Sequence, residues 1–276
     1  MNYRHSYHAG NFADVFKHVV LTLLLQALRA KDKPFCYLDT HAGAGRYNLL
    51  GEAAQKTGEY REGIARFQKG PPVPVEMADY LAAVRAVNEG GELRCYPGSP
   101  RVARHLLRAQ DRMVLMELHP EEAQALKLEF RGDPQVHVHH MDGFSGLKAF
   151  LPPQERRGLV LIDPPFERVD EFDRVVIALQ AAHARWSTAI YAVWYPLKDP
   201  QEVKRFYRKL AGSGLRKLLL AEISFHAMPG QLYGCGMVIL NPPWGLDERL
   251  KRLLPELLAR LRDAPGGARV EWLVPE

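Results

Sequence analysis

Two stretches of the sequence end an apolar run with a polar residue, two prolines and an aromatic residue. Asp163-Pro164-Pro165-Phe166 follows LVLI, and Asn241-Pro242-Pro243-Trp244 follows MVIL. Such a turn suits methylation of an aromatic amino group, whose lone pair is delocalised into the ring. The acid side chain and the first proline carbonyl can accept the two amino hydrogens, because proline restricts its own φ and the residue before it. The aromatic ring can stack on the base.

The order of the predicted strands favours the first stretch. Asp163 follows the fourth predicted strand, next to a glycine-rich turn, whereas Asn241 follows the last strand that we count. We therefore expect Asp163, Pro164 and Phe166 to be the catalytic residues. We predict that Asp163→Ala loses nearly all activity and that Asn241→Ala keeps a substantial part of it. The second turn is expected to be structural, with Trp244 packed on the core.

Acidic residues close four successive predicted strands. They are Asp39 before the glycines of THAGAG, Glu117 in MVLMEL, Asp142 in VHVHHMD, and Asp163. Parallel strands bring their carboxyl ends to one edge, where ligands of open α/β sheets bind. The stretch GAGRYN lacks the third glycine of a dinucleotide fingerprint. Acids beside glycines suit S-adenosylmethionine, a sulfonium cation without phosphate. Glu117 can accept hydrogen bonds from the ribose hydroxyls, and Asp142 can accept one from the adenine amino group. Helix capping is the alternative role for these acids.

Strand and helix patterns alternate along most of the chain, which predicts an α/β fold. Runs such as LVLI are typical of strands buried on both faces. We expect a mostly parallel, seven-stranded sheet with helices on both faces, and one domain over residues 1–276. Residues 53–96 interrupt the alternation and are expected to form a small helical insertion. The clearest predicted helices are residues 11–30, 120–131, 171–184 and 200–211.

Composition sets wide limits. The formal net charge is +5 and the pI about 9.1, which permits a polyanionic partner without requiring one. Three separated cysteines predict no disulfide framework. The polar start and the short apolar run VVLTLLLQAL lead us to expect a cytoplasmic protein. The histidines near residues 5–18 and 137–140 lack the convergence of a zinc site, so we expect no metal.

Several motifs carry a closer resemblance. LDTHAGAG, LMELHP and IDPPF, in this order, resemble adenine amino-group methyltransferases with a Rossmann-like, class I methyltransferase fold. YRHSYHAGNFADVFKH, KPFCYLDTHAGAGRY, TGEYREGIARF, YPGSP, YAVWYP and WLVPE extend the resemblance over the whole chain to the RlmJ family. That family methylates N6 of one adenine, adenine 2030, in 23S rRNA.

The resemblance implies a set of site residues. Phe166 departs from the tyrosine that is commoner at its position in the motif; stacking is retained, whereas any role of a phenol oxygen is not. Tyr3, Arg4, His5 and Phe166 are expected at the substrate opening. The S-adenosylmethionine pocket is expected to contain His18, His41, Gly43, Ser99, Glu117, Asp142, Gly143 and Asp163.

Basic residues and the exposure of the target base bear on the substrate. Arg101, Arg104 and Arg108 would share one helix face, which could bind RNA or only face solvent. The target base must leave any stack, which favours protein-free or early-assembly 23S rRNA, and we expect a monomer. A DNA adenine methyltransferase and a non-catalytic rRNA-binding or assembly protein are the alternatives, and a nicotinamide-linked reductase is more distant.

Overall fold

Among the residues that the structure describes, eight strands form one large central sheet and two more form a small separate sheet. The computed structural model describes residues 4–68, 72–225, 231–261 and 266–276. The strands are β1 (Cys36–Asp39), β2 (Arg46–Asn48), β3 (Cys95–Pro97), β4 (Arg112–Glu117), β5 (Val136–His140), β6 (Gly158–Ile162), β7 (Ile190–Leu197), β8 (Leu218–Phe225), β9 (Gly234–Leu240) and β10 (Gly266–Val274). The large sheet has the order β10-β8-β9-β7-β6-β1-β4-β5, and β2 and β3 form a separate antiparallel pair.

The sheet has a parallel part and an antiparallel part. The strands β7, β6, β1, β4 and β5 are parallel, whereas β9, β8 and β10 continue the sheet through antiparallel pairs. The mostly parallel α/β sheet is therefore confirmed, and the expected number of seven strands is wrong by one. The additional strand is β10, an edge strand whose residues are mostly exposed. It lacks the continuous apolar run that identifies a buried strand.

Helices cover both faces of the sheet. They are α1 (Phe12–Arg29), α2 (Glu52–Thr57), α3 (Ala78–Ala86), α4 (Ser99–Leu106), α5 (Pro120–Glu129), α6 (Gly143–Phe150), α7 (Glu171–Arg185), α8 (Pro200–Ala211) and α9 (Leu246–Leu261). One core contains side chains of α1, α3, α4, α5 and α9, and the other contains side chains of α6, α7 and α8. Along β1, Tyr37 faces the first core and Leu38 the second, as the alternation of a strand requires.

Helix α1 brings the first polar residues to the sheet. Asn11 caps it by accepting from the backbone N–H of Asp14 at 3.0 Å, which fixes its start where the sequence predicted. Most of the helix is buried, and it packs against β6 and β9. In the part of the chain that is described, no helix combines the length and apolar character that a bilayer span needs.

The described residues between positions 53 and 96 pack against α1. They include most of α2, the helix α3 and three short 3₁₀ turns, Glu59–Glu62, Ile64–Phe67 and Val75–Met77. Tyr80 of α3 is fully buried in the first core, and Gln26 of α1 donates to Asp79 at 2.9 Å. That this segment is an insertion with its own boundaries stays a prediction.

Candidate active site

The carboxyl ends of the central strands open on a cavity of about 760 Å³. The turns after β1, β4 and β6 contribute to its wall, together with the start of α1 and the end of β7. The expected cofactor and catalytic residues all line this one cavity: His18, His41, Gly43, Ser99, Glu117, Asp142, Gly143, Asp163, Pro164 and Phe166. The structure thus brings together side chains that are spread over about half of the chain.

The turn after β1 is built around glycine. Gly43 has φ +59° and donates its backbone N–H to Glu117 Oε2 at 2.8 Å. Glu117 Oε1 accepts from the backbone N–H of His119 at 2.7 Å. A β-carbon at Gly43 would lie 2.0 Å from the Tyr47 hydroxyl. Only glycine therefore fits both the backbone conformation and the space. The turn is held by the same acid that can accept ribose hydroxyls.

The two carboxylate oxygens of Asp142 have different surroundings. It is the N-cap of α6 and accepts from the backbone N–H of Ser145 at 2.8 Å, so the capping role that the sequence left open is present. Its second oxygen lies 3.9 Å from the Arg174 guanidinium and on the cavity wall. One carboxylate can cap a helix through one oxygen and accept from a ligand through the other.

Neutral histidines line the inner part of the cavity. Burial lowers the pKa of His41 to about 4, and burial also lowers the pKa of His18 well below its usual value. His18 Nδ1 pairs with the Tyr96 hydroxyl at 2.8 Å, and its buried Nε2 has no partner among the described residues. An unpartnered buried imidazole nitrogen on a cavity wall is a group that a bound ligand can satisfy.

Asp39 supports this wall from beneath. It is fully buried and accepts from Tyr37 at 2.6 Å, from Ser99 at 2.7 Å and from the backbone N–H of His41 at 3.2 Å. Burial raises its pKa to about 6 against the lowering effect of these donors. Asp39 is therefore committed to holding Ser99 and His41 in place.

Asp163 and its prolines form the rim of the cavity at the end of β6. Pro164 is buried, and the ring of Phe166 lies 4.8 Å from that of Phe172 and 5.9 Å from that of Trp194. Phe166 has φ +50°, a left-handed conformation that costs a non-glycine residue about 1–2 kcal/mol. Such strain is typical of functional turns, where the surrounding structure enforces it.

A chain of buried charges reaches Asp163 from α1. Lys17 Nζ lies 2.6 Å from Asp163 Oδ2 and 2.9 Å from Asp14 Oδ1. The other oxygen of Asp14 accepts from His5 at 2.8 Å and from the backbone N–H of Gly10 at 2.9 Å. Burial opposes the charge of Lys17, but Asp14 and Asp163 outweigh it and raise its pKa above the usual value. The ammonium group therefore stays protonated between two carboxylates.

The sequence argument missed Asp14 and Lys17. Their signal is two opposite charges, three positions apart, inside a helix that is otherwise apolar in FADVFKHVVLTLLL. Charged residues are rarely buried unless they are paired. Trp194 and Glu122 also line the cavity and were not predicted.

The expected substrate residues have different outcomes. His5 lines the cavity, and Tyr3 lies outside the described residues. The side chain of Arg4 is 53% exposed, pairs with Glu121 at 3.1 Å and is not on the cavity wall. Arg101, Arg104 and Arg108 do not form the expected basic helix face, because α4 ends at Leu106, before Arg108. Each of the three also pairs with a carboxylate: Arg101 with Glu129, Arg104 with Asp133 and Arg108 with Asp111.

The Asn241 turn lies at the opposite edge of the sheet. Strand β9 is antiparallel to β7, so its carboxyl end meets the amino end of β7. Asn241 has φ +55° and donates to the carbonyls of Ser187 and Ala189, each at 2.8 Å. Its side chain is thus used to close a turn. Trp244 is fully exposed, and the expectation that it packs on the core is wrong, because the turn directs it away from the sheet.

No metal site is evident in the described ranges, which contain no group of three or more His, Cys, Asp or Glu placed to hold an ion. The donor set instead fits a cationic nucleoside. It offers the acceptors Glu117 and Asp142, the orphan nitrogen of His18 and a glycine turn that allows close approach. The cavity is also of a size that suits such a ligand.

The fold and this site define the protein as an S-adenosylmethionine-dependent methyltransferase. A family model described as ribosomal RNA large subunit methyltransferase D, RlmJ, matches residues 32–274. The chain is 47% identical to ribosomal RNA large subunit methyltransferase J of Escherichia coli and 46% identical to that of Haemophilus influenzae, in both cases over the full length of each chain. It therefore belongs to the RlmJ family.

A solved structure agrees with this assignment. The crystal structure of protein LPL1258 from Legionella pneumophila is 37% identical, with a TM-score of 0.90 over 96% of this chain and 98% of that one. The resemblance stated from the motifs is confirmed. The roles of the individual residues remain predictions.

Proposed function

We propose that this enzyme methylates the N6 amino group of one adenine in 23S rRNA. The observation that carries the proposal is the position of Asp163-Pro164-Pro165-Phe166 on the rim of the cavity that also contains Glu117, Gly43 and His18. An amino-methylating turn and an adenosine-binding wall then share one space. The names of the full-length relatives support rRNA of the large subunit as the substrate class.

The cofactor would be held by the wall beneath the rim. Glu117 would accept hydrogen bonds from the ribose hydroxyls, and Asp142 would accept one from the adenine amino group through the oxygen that does not cap α6. His18 Nε2, which has no partner among the described residues, would pair with a polar group of the cofactor. When bound, S-adenosylmethionine supplies an electrophilic methyl group on a sulfonium. Neutral His18 and His41 add no positive charge that would repel it.

The target adenine would be held at the rim. Lys17 donates a hydrogen bond to Asp163 Oδ2. Asp163 Oδ1 would then accept one hydrogen of the adenine amino group, and the Pro164 carbonyl would accept the other. Two acceptors outside the ring plane localise the nitrogen lone pair toward the methyl group. Phe166 stacks on the base, which is worth about 1–3 kcal/mol. Alignment of nucleophile and methyl carbon supplies a large part of the acceleration. The nitrogen then loses a proton to water or to Asp163.

The partner and place of action follow from the substrate. An adenine that must enter a cavity of this size has to be turned out of its stack. Protein-free or early-assembly 23S rRNA is the form we propose, acted on by a monomer in the cytoplasm. Adenine 2030 is the position that the family resemblance suggests.

Nucleoside mass spectrometry tests the reaction. The protein is incubated with labelled S-adenosylmethionine and protein-free 23S rRNA, and the RNA is digested to nucleosides. Labelled N6-methyladenosine is expected, and sequencing of fragments maps its position. Label on another nucleoside, or label only with a DNA substrate, would refute the proposal. Intact large subunits serve as the comparison, which we expect to be poorly methylated.

A further inference from the structure

The outward side of α8 is basic. From Lys198 to Lys209 there are five basic and two acidic residues, a net of +3 in a chain whose formal net charge is +5. The buried side of the helix holds Val203, Phe206 and Leu210. Lys198, Lys204 and Arg208 are exposed, and we call these three residues the α8 basic face.

The charges of the α8 basic face are not neutralised. Across the described ranges, no carboxylate lies within ion-pair distance of Lys198, Lys204 or Arg208, whereas the neighbours Arg205 and Lys209 pair with Glu202 and Asp173. By contrast, Arg101 and Arg104 of α4, and Arg108 just after it, each pair with an acid. The contrast separates a basic face that is part of the fold from one that is available to an anion.

The α8 basic face begins at the cavity, because its first member, Lys198, is on the cavity wall. Lys198 follows β7 and lines the cavity with Trp194 and Pro196, and α8 begins two residues later. Lys204 and Arg208 are one helical turn apart, so about 6 Å of axial rise separates them. A cavity of about 760 Å³ admits a cofactor and one flipped nucleoside. The nucleotides on either side of the target must therefore cross the rim and lie outside.

We propose that the α8 basic face binds backbone phosphates of the RNA that flanks the target adenine, and this proposal rests on the rRNA methyltransferase function proposed above. The occupant is RNA because the unpaired cations begin at the rim over which the substrate chain must pass. Phosphate contacts of this kind fix the register of a nucleic acid without reading its sequence.

The test is the double variant Lys204→Gln/Arg208→Gln. The matched control is Lys251→Gln/Arg252→Gln, which removes the same charge from exposed positions on α9, a helix that does not contribute to the cavity wall. Binding of protein-free 23S rRNA is measured across a salt series, together with steady-state methylation and binding of S-adenosylmethionine. Thermal melting verifies that both variants are folded.

We expect the α8 variant to have a KM for RNA raised roughly tenfold at low salt, with kcat and cofactor affinity unchanged. The slope of log K against log salt should fall by about 1–2, as the loss of two phosphate contacts requires. The α9 control should keep the KM of the wild type. If the wild type is active, a KM and a salt slope in the α8 variant equal to those of the wild type would overturn the proposal. Equal losses of RNA affinity in the α8 variant and the α9 control would overturn it as well. No methylation by the wild type would instead refute the proposed function.

Discussion

Lys17 lies between two buried carboxylates, and its removal should affect both the reaction and the fold. In Lys17→Met, Asp163 loses the group that fixes one of its oxygens, and Asp14 loses a partner. Loss of one partner of a buried ion pair costs about 3–5 kcal/mol of stability. A displaced acceptor should lower the single-turnover rate about 10²-fold.

The comparison variant for Lys17 is Asp14→Asn, which retains the contact between Lys17 and Asp163. Quench-flow methylation at saturating RNA gives the rate, and urea unfolding gives the stability. We expect Asp14→Asn to lose stability with a smaller effect on the rate than Lys17→Met. A wild-type rate in Lys17→Met would show that Lys17 is only structural.

The two proline turns make opposite predictions for their first residues. Asp163→Ala removes a proposed acceptor and should reduce the methylation rate about 10³-fold or more. Asn241→Ala should keep a rate within a few-fold of the wild type, because Asn241 closes a turn at the far edge of the sheet. It should lose about 1–3 kcal/mol of stability through two lost hydrogen bonds and a left-handed alanine. Methylation rates and urea unfolding of both variants test these predictions. Loss of activity in Asn241→Ala with activity retained in Asp163→Ala would disprove our assignment of the turns.

At the scale of elements, a buried glutamate links two strands and a helix to β10. Tyr195 of β7 and Tyr207 of α8 donate to one oxygen of Glu222 in β8, and Arg269 of β10 pairs with the other at 3.2 Å. In Glu222→Gln an amide N–H₂ replaces one acceptor oxygen. That donor must then face either the Arg269 guanidinium or the tyrosine hydroxyls, all of which are donors to Glu222. The free energy of unfolding should fall by about 1–3 kcal/mol.

A neighbouring acid provides the control for Glu222. Glu271 pairs with the same arginine, but both side chains are more than 40% exposed. Glu271→Gln should therefore change the stability by less than about 1 kcal/mol. Urea denaturation of the two variants separates the buried from the exposed partner. Equal effects would mean that the buried cluster does not stabilise the edge of the sheet.

The elements differ in how far the sequence predicted them. Helix α8 has the predicted bounds, because proline at its first position and the spacing of its apolar residues mark it clearly. Helix α9 was missed because Pro255 interrupts a pattern whose leucines are nevertheless buried. Strand β10 was missed because an exposed edge strand needs no apolar run. Its position depends on pairing with β8, which is distant in sequence.

The same limit applies to the candidate site. The ends of parallel strands are predictable as neighbours, and the acids at the ends of β4, β5 and β6 and the glycine turn after β1 were found in this way. The contact between Lys17 and Asp163 joins residues 146 positions apart, from a helix and a strand whose relative placement no local pattern specifies. The pairing of Arg101 and Arg104 with acids about 30 positions away could not be predicted for the same reason.

At the scale of the whole molecule, the two edges of the sheet have different roles. The carboxyl ends of the parallel strands hold a cavity with buried charges, neutral histidines and a strained phenylalanine. At the opposite edge, Asn241 satisfies two backbone carbonyls and closes a turn. The cavity edge thus contains histidines whose pKa values are lowered by burial, and these connect the site to the stability of the protein.

His41 should make the folded protein sensitive to acid. Its pKa is about 4 in the folded protein against 6.5 for an ordinary histidine. Between these values the unfolded chain binds a proton that the folded protein does not, so the free energy of unfolding falls as the pH falls. Burial of Asp39, whose pKa is raised to about 6, acts in the opposite direction below that pH. A variant that removes His41 alone isolates its contribution.

The variant is His41→Gln, compared with the wild type by urea unfolding at pH 7.5 and at pH 5. Over this range the wild type should lose about 2 kcal/mol more than the variant, since each pH unit below 6.5 contributes about 1.4 kcal/mol. His137→Gln, at an exposed position on β5, should retain the pH dependence of the wild type. Equal losses of unfolding free energy in the wild type and in His41→Gln would show that the pKa of His41 is not lowered in the folded protein.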